Sequence, residues 1–234
     1  MCYPKYSVFM ALIAPSITAA DWAKLGEALE AMQSAGASMV HVDVMDGHFV
    51  PDISIGQPVL KSLRKATELV LDVHLLIERP ERYIGEFIDS GADRISVHPE
   101  STRSFRQALQ AIRSRGAKAG LALNPSTPLE TLSEVWGEID FLTIMTAEPG
   151  LCEGAFIPSS VEKVRAATLI RAERRLSFDV QAEGGIGPEN MEALARAGAD
   201  ILIAGSAIFN SGDPRARLLE MIRNAARISA TSKV

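Results

Sequence analysis

The sequence predicts an α/β protein with a single (β/α)8 barrel of the TIM-barrel class, and three observations support this prediction. Eight short apolar segments alternate with eight amphipathic ones, as in a parallel sheet covered by helices. The length of 234 residues is slightly below the roughly 250 residues of a typical barrel. The phrases SAGAS, DSGAD and RAGAD end three predicted helices, which is typical of a repeated βα unit. We therefore expect one barrel domain over residues 1–234 rather than an open doubly wound sheet.

The predicted strands are short runs of apolar and β-branched residues. They cover residues 8–14, 39–45, 69–75, 94–98, 118–123, 141–145, 177–182 and 201–204. The predicted helices have apolar residues at helical spacing, and several of them are followed by a glycine. They cover residues 21–35, 58–66, 80–90, 101–114, 127–135, a segment ending near Ala172, 188–197 and 213 to about 229, with a short extra helix at 206–209.

Composition limits the functional classes. Two cysteines, Cys2 and Cys152, cannot build a disulfide framework, so we expect a reducing compartment and a cytoplasmic protein. The net charge of -5 and the lack of a sustained basic face argue against nucleic-acid binding. No apolar run approaches the roughly 18 residues that span a bilayer, so we expect a soluble protein without a membrane partner. We also expect a homo-oligomer.

The segment MVHVDVMDGHFVP, residues 39–51, carries the most informative side chains. Alternation along the strand places His41 and Asp43 on one face, and Asp46-Gly47 ends the strand just beyond them. Burying an imidazole and a carboxylate costs several kcal/mol unless a metal, a proton or a partner compensates. A structural hydrogen bond, a metal site and an acid–base site all fit this strand taken alone.

Other polar residues fall at the C-terminal ends of strands, where barrel active sites lie. His74 ends the third strand, Glu183 follows the seventh, and Ser16 follows the first. Together with His41 and Asp43 they give two imidazoles and two carboxylates, a candidate set of ligands for zinc or ferrous iron. The two carboxylates could also act as an acid–base pair.

Three further polar residues have more than one interpretation. Asp72 would either orient a ligand histidine or pack inside its strand. We expect His48 to be a loop residue and His98 a hydrogen-bonding residue at a strand end, rather than metal ligands.

Two glycine-containing pairs predict a phosphate site. Gly184-Gly185 follows the seventh strand and Gly205-Ser206 the eighth, ahead of the short helix at 206–209. Barrels often bind phosphate at this place, against backbone amides and a short extra helix. Either pair alone would be explained by a tight turn.

Nearly the whole chain resembles the ribulose-phosphate 3-epimerase family. The matching segments are HVDVMDGHFVPDISIGQPVLKSLRK, LDVHLLIERPERYI, GLALNPSTPLE, MTAEPG and AGSAIF. The resemblance implies metal-assisted epimerisation at C3 of a ketose phosphate through an enediolate, converting D-ribulose 5-phosphate to D-xylulose 5-phosphate or acting on a close analogue. It also implies one divalent cation per chain, for which we expect Zn²⁺ or Fe²⁺, with Mn²⁺ or Co²⁺ as further candidates.

The resemblance also implies roles for individual residues. The cation would be held by His41, Asp43, His74 and Glu183, and Asp43 and Glu183 would be the catalytic acid–base groups on opposite faces of the substrate. Met45 and Met145 would pack against the enediolate, and the glycines after strands seven and eight would hold the phosphate. The implied substrate-binding residues are Ser16, His74, Met45, Met145, Gly150, Gly184, Gly185, Gly205 and Ser206.

The sequence departs from the family pattern at three places. Glu183 replaces the usual Asp, Leu151-Cys152-Glu153 replaces glycine-rich sequence, and Leu76 replaces a Met. Glu153 puts an acid near the expected phosphate, which would repel it unless that side chain turns away. Glu183 also leaves open a non-catalytic sugar-phosphate-binding protein or an epimerase for another ketose phosphate. An aldolase or decarboxylase on this scaffold would commonly bring a lysine to the barrel mouth, and no predicted strand end carries one in a similar position.

Overall fold

The structure is a computed structural model that describes residues 11–150 and 154–231. Its strands are β1 Leu12–Pro15, β2 Met39–Met45, β3 Val70–Leu76, β4 Arg94–Val97, β5 Lys118–Leu123, β6 Phe141–Met145, β7 Asp179–Glu183 and β8 Ile201–Ala204. They form one parallel sheet in the order β1-β8-β7-β6-β5-β4-β3-β2. A parallel bridge between Ser16 and His41 joins the two ends of the sheet. The predicted (β/α)8 barrel is therefore confirmed.

Helices alternate with the strands and surround the barrel. They are α1 Leu25–Ser34, α2 Gln57–Ala66, α3 Ile84–Asp89, α4 Phe105–Ser114, α5 Ser160–Glu173, α6 Met191–Ala197, α7 Ser206–Phe209 and α8 Pro214–Thr231. Short 3-10 helices add Ile17–Ala19, Trp22–Lys24, Pro80–Arg82 and Leu129–Leu132. Among the described residues, no helix has the length and apolar character that crossing a membrane requires.

The helix predicted over residues 127–135 is wrong, because the structure has only a 3-10 helix there, followed by turns. Its backbone bonds join residues three apart, as in Ser133 N–H to Glu130 O and Val135 N–H to Leu132 O. The buried residues Leu129, Leu132 and Val135 also recur every three positions. This spacing matches the three residues per turn of a 3-10 helix rather than the 3.6 of an α-helix.

Several predicted boundaries shift by a few residues. The first predicted strand starts at Val8, but residues 8–10 lie outside the described residues, as do Cys2 and Cys152. The helix predicted from residue 101 begins as α4 at Phe105, because Ser104 accepts a hydrogen bond from the Gln107 amide and caps it. Helix ends are the least regular part of a helix, and capping residues decide them locally.

Strand alternation divides the buried residues into two groups. Val40, Val42 and Val44 of β2 belong to the large apolar core that includes the helix residues. Met39 belongs to a small separate cluster with Ala14, Ile201 and Ile203. The other positions of β2 on the same face as Met39 are His41, Asp43 and, at the end of the strand, Met45. The barrel interior therefore combines a small apolar layer with buried polar residues.

Gly120 of β5 allows an aromatic ring to fill the lower end of the barrel. It pairs in register with Phe141 of β6, and an added Cβ would lie 2.3 Å from the Phe141 ring. Arg94 lies over the same ring, with its Cζ 4.2 Å from the ring centroid. A side chain at position 120 would therefore displace the ring on which Arg94 rests.

We predict that Gly120→Ala lowers the free energy of unfolding by about 1–3 kcal/mol, because the buried ring has to shift. Urea denaturation of the two proteins measures this difference. Gly26→Ala is the matched control, since Gly26 is an exposed position in α1 with nothing within 4 Å of an added Cβ. It should raise stability by up to about 1 kcal/mol. Equal stability of Gly120→Ala and the parent would contradict the packing described for Phe141.

Candidate active site

Four buried side chains meet at the C-terminal end of the barrel. His41 and Asp43 come from β2, His74 from β3 and Glu183 from β7. One ligand atom from each lies within 4.8 Å of the others, which is close enough to hold one metal ion. The spacing of two residues puts His41 and Asp43 on one face, and the β2–β3 register places Asp43 beside His74. The structure thus brings together all four predicted ligands.

His41 is oriented by a carboxylate below it. Its Nδ1 lies 3.0 Å from Asp72 Oδ2, and Gln181 Nε2 donates to the same oxygen over 3.0 Å. Arg94 Nε lies 3.3 Å from the other oxygen of Asp72. With Nδ1–H donating to Asp72, the second ring nitrogen, Nε2, is directed toward the cluster and lies 3.1 Å from Asp43 Oδ1. Of the two interpretations of Asp72, the structure supports the orienting one.

His74 is oriented by a second imidazole. Its Nε2 lies 2.8 Å from Nε2 of His98, the residue that follows β4. Its Nδ1 faces the two carboxylates, 3.1 Å from Glu183 Oε2 and 3.5 Å from Asp43 Oδ1. Burial lowers the pKa of His98 to about 4. His98 is therefore a hydrogen-bonding residue at a strand end, as predicted, and His48 lies in the loop after β2, also as predicted.

Asp43 is held on both of its sides. Ser16 Oγ donates to Asp43 Oδ2 over 2.6 Å, while Asp43 Oδ1 faces His41. Its backbone N–H donates to Thr18 Oγ1 over 2.9 Å, and its carbonyl accepts from Ser54 Oγ over 2.7 Å. One oxygen of Asp43 thus faces the ligand cluster, and the other accepts from Ser16.

The four clustered side chains shift each other's pKa values. Burial lowers the pKa of both histidines, but Glu183 and Asp43 outweigh it, so the pKa of His41 is well above its usual value and that of His74 is raised to about 9. Burial raises the pKa of Asp43, but His41 and His74 hold it well below its ordinary range. Burial likewise raises the pKa of Glu183, yet His74 and His41 bring it below its ordinary value. Two imidazolium charges thus balance two carboxylates.

This donor set fits a divalent cation. Glu183 Oε2 is buried and has no hydrogen-bond partner, although it lies 3.1 Å from His74 Nδ1 and 3.3 Å from His41 Nε2. A cation between this oxygen and the two ring nitrogens would give the oxygen the direct partner that it lacks. Two imidazole nitrogens and two carboxylate oxygens suit Zn²⁺ or Fe²⁺ better than Mg²⁺ or Ca²⁺. A divalent cation would also replace the charge of the two imidazolium protons.

A cavity of about 220 Å³ opens above the cluster at the barrel mouth. Its wall includes Asp43 and Glu183 together with predicted substrate-binding residues: Ser16, Met45, Met145, Gly150, Gly184, Gly185, Gly205 and Ser206. His74 is fully buried and lies beneath this wall, in contact with Glu183. No lysine lines the cavity within the described residues, which counts against the aldolase and decarboxylase alternatives.

The glycine pairs lie on one side of this cavity. Gly184 has φ +116 and an added Cβ would lie 2.7 Å from the Ala147 backbone nitrogen, so only glycine fits there without strain. Gly205 immediately precedes α7, as the sequence predicted. Residues 151–153, which include the departure at Cys152-Glu153, lie outside the described residues.

The sequence did not single out several residues of the site. Arg94 and Gln181 point into the barrel, and alternation with Ser96 on β4 and Glu183 on β7 would have indicated this. Asp52 and Glu148 also line the cavity. They lie in loops, where no periodic signal exists, so only the structure identifies them.

Comparisons with known proteins agree on one family. The model of the ribulose-phosphate 3 epimerase family matches residues 12–209. Ribulose-phosphate 3-epimerase of Synechocystis sp. is 43% identical over 218 residues, covering 92% of this chain and 94% of the relative. The Bacillus subtilis ribulose-phosphate 3-epimerase is 38% identical over 213 residues, covering 91% of this chain and 98% of the relative.

Solved structures show the same fold at low sequence identity. Orotidine 5'-phosphate decarboxylase from Pyrococcus horikoshii superposes with a TM-score of 0.64 at 19% identity, covering 92% of this chain and 99% of the other. A 3-hexulose-6-phosphate synthase superposes with a TM-score of 0.65 at 17% identity, covering 92% of this chain and 99% of the other. These two share the barrel alone, whereas the family model and the relatives cover most of this chain at about 40% identity. The chain belongs to the ribulose-phosphate 3-epimerase family of isomerases.

Proposed function

We propose that this protein is a cytoplasmic, metal-dependent epimerase that inverts C3 of D-ribulose 5-phosphate to give D-xylulose 5-phosphate. The observation that carries the proposal is that Asp43 and Glu183, from β2 and β7, line one cavity and also face the same pair of histidines. Family membership supports the choice of a pentulose phosphate. Site geometry supports the two-carboxylate chemistry.

Inversion needs one group to take a proton and another to return one on the opposite face. The C3–H bond lies next to the C2 carbonyl, so removing the proton leaves an enediolate whose charge rests on oxygen. In our proposal one carboxylate takes the C3 proton, and the other, in its protonated form, gives a proton to the far side of C3. Asp43 is on β2 and Glu183 on β7, three strands apart around the barrel in the order β2-β1-β8-β7. This separation suits proton transfer by the two carboxylates on opposite faces of C3.

Each carboxylate has two oxygens, so one oxygen could hold the cation while the other exchanges a proton with the substrate. Asp43 Oδ1 faces His41, while Oδ2 accepts from Ser16, a residue of the cavity wall. His41, Asp43, His74 and Glu183 would hold the cation through the atoms that already converge. When bound, the cation would supply positive charge beside the substrate oxygens on which negative charge develops.

Two methionines support the reacting carbons in this proposal. Met45 follows Asp43 by two residues on β2, and Met145 pairs in register with Glu183. Both line the cavity beside the carboxylate that they accompany. An apolar thioether there would exclude water from the enediolate without offering a competing proton.

The phosphate would bind where Gly184, Gly185, Gly205 and Ser206 line the cavity. Without Cβ atoms the glycines let an anion approach the backbone closely. A second candidate function is non-catalytic binding of a sugar phosphate, and Glu183 in place of the family's Asp favours it. The exchange of the C3 proton with solvent deuterium separates the two functions.

Replacing Glu183 tests the two-carboxylate mechanism. Glu183→Gln should reduce epimerisation about 10²–10⁴-fold, because an amide keeps a hydrogen bond but cannot carry the proton. Asp43 should still exchange the C3 proton of one epimer with deuterium, which NMR in D2O detects. Glu183→Asp is the matched variant: it keeps the carboxylate, and we expect it to be active but altered, since a misplacement of about 1 Å can cost roughly a hundredfold. Epimerisation by Glu183→Gln at the parent rate would rule out the two-carboxylate mechanism.

Removing the metal tests metal dependence. Elemental analysis should find one divalent cation per chain, and activity should disappear on chelation and return when Zn²⁺ or Fe²⁺ is added, since the developing negative charge needs a nearby cation. His41→Ala should bind the cation more weakly, whereas His48→Ala, in an exposed loop, should not. Full activity of protein that contains no stoichiometric metal would refute metal dependence.

A negative charge at Gly205 tests the phosphate site. Gly205→Asp should raise KM for ribulose 5-phosphate by about tenfold or more, because a carboxylate would face the dianion. Gly137→Asp adds the same charge at an exposed position with nothing within 4 Å of an added Cβ, and should leave KM unchanged. Steady-state kinetics measures both. If the parent turned over unphosphorylated ribulose equally well, a phosphate site at these glycines would be excluded.

A further inference from the structure

The two histidines that would hold the cation are supported in different ways. In His41, the ring nitrogen that faces away from the cluster is Nδ1, and it donates to the carboxylate of Asp72, which can only accept a hydrogen bond. In His74, the ring nitrogen that faces away from the cluster is Nε2, and it forms a hydrogen bond with His98, with 2.8 Å between the two Nε2 atoms. An imidazole nitrogen can either donate or accept, so this second contact does not by itself fix the proton.

The direction of the His74–His98 hydrogen bond decides whether His74 can bind a cation. If His74 Nε2–H donates to His98, then Nδ1 of neutral His74 keeps its lone pair, and this nitrogen faces Glu183 and Asp43. If His98 donates, neutral His74 carries its proton on Nδ1, which blocks the ligand position. Whatever determines the tautomer of His98 therefore also determines the tautomer of His74.

Glu100 is placed to set that tautomer. Its Oε2 lies 3.5 Å from His98 Nδ1, an ion-pair separation, and this fully buried nitrogen makes no hydrogen bond in the structure. A lone pair on this nitrogen would face the carboxylate, and two acceptors facing each other in a buried place repel. The proton therefore belongs on Nδ1 of His98, which leaves its Nε2 as the acceptor. The ring of Phe49, 4.9 Å from that of His98, packs against this arrangement.

Glu100 is itself held as an anion by the loop after β5. The backbone N–H of Asn124 donates to its Oε1 over 3.2 Å, and the Thr127 hydroxyl makes a short hydrogen bond to the same oxygen. Lys163 of α5 donates to the backbone carbonyls of Asn124, over 2.7 Å, and of Thr127, which ties this loop to the barrel wall. Burial raises the pKa of Glu100, but His98 and Thr127 outweigh it and lower that pKa to about 2.

We propose that His98 and Glu100 are positioning residues of the metal site. Glu100 keeps the proton of His98 on Nδ1, His98 accepts the Nε2–H of His74, and His74 Nδ1 is thereby left open to the cation. Neither residue contacts the cavity that the substrate would occupy. The proposal rests on the metal site of the proposed function, and it explains why a histidine outside the ligand set lies beside a ligand.

Nitrogen NMR tests the proton positions directly. The chain has only four histidines, so the NMR signals of their ring nitrogens can be assigned with full-length variants in which one histidine at a time is replaced. We expect His98 to carry its proton on Nδ1 and not on Nε2, with Zn²⁺ and without it. A proton on Nε2 of His98 in the Zn²⁺-bound protein would overturn the proposal.

Zn²⁺ affinity, measured by competition with a chelator, tests the consequence. His98→Phe keeps a ring but removes the acceptor, and should weaken Zn²⁺ binding about tenfold to a hundredfold. His98→Gln presents an amide oxygen at similar reach, and should restore most of the affinity. Glu100→Gln should also weaken binding, because its amide can donate to His98 Nδ1 and so release the tautomer. His48→Phe, in an exposed loop, is the control for adding a phenyl ring and should not change affinity.

The outcomes separate this proposal from the proposed function. A parent protein that binds no divalent cation would refute the metal site itself, and with it the positioning roles. A parent that binds Zn²⁺ while both His98→Phe and Glu100→Gln bind it equally tightly would overturn the positioning roles alone. If His98→Phe does not fold, Glu100→Gln and the NMR measurement decide the question. Recovery in His98→Gln distinguishes a specific acceptor from a merely structural ring.

Discussion

The active site depends on a buried carboxylate, Asp72, inside the barrel. Its side chain is fully buried, and a charge there would cost several kcal/mol without partners. Arg94 Nε at 3.3 Å, the Gln181 amide at 3.0 Å and His41 Nδ1 at 3.0 Å supply them. Arg94 also lies over the Phe141 ring and contacts Asp179 at the start of β7. A chain of contacts thus runs from the lower end of the barrel to the imidazole that would bind the cation.

The upper part of the barrel follows from this arrangement. With His41 fixed from below, its Nε2 faces the space that Asp43 and Glu183 also face. Without a cation, protons on the histidines balance the two carboxylates, which is the physical meaning of the raised pKa values of His41 and His74. A divalent cation would therefore enter a site already built for two positive charges. Metal binding and release of those protons are then one linked equilibrium.

Strand alternation made much of the fold and of the site predictable. It placed His41 with Asp43 and Asp72 with His74, and the rule that barrel sites lie at the C-terminal strand ends added Glu183 and the glycine pairs. The predicted helix at 127–135 was wrong because a repeat of three fits a 3-10 helix. The contacts His74–Glu183 and Asp72–Gln181 join residues 109 positions apart, and side-chain geometry in the closed barrel decides them. Alternation can indicate that Gln181 and Arg94 point into the barrel, but no local pattern says which residues they contact, so their partners and the role of Glu100 required coordinates.

Glu183 shows how the barrel accommodates a longer acid than the family's usual Asp. Its Oε2 lies 3.1 and 3.3 Å from the two histidines, while Asp43 Oδ1, on a shorter side chain, lies 3.5 and 3.1 Å from the same two nitrogens. The position of each carboxylate group is therefore set by the two imidazoles rather than by the length of its side chain. An extra methylene adds a rotatable bond, and in the proposed reaction its freedom would have to be lost when the acid is aligned with C3. The replacement thus acts on the orientation of the acid and leaves the charge of the site unchanged.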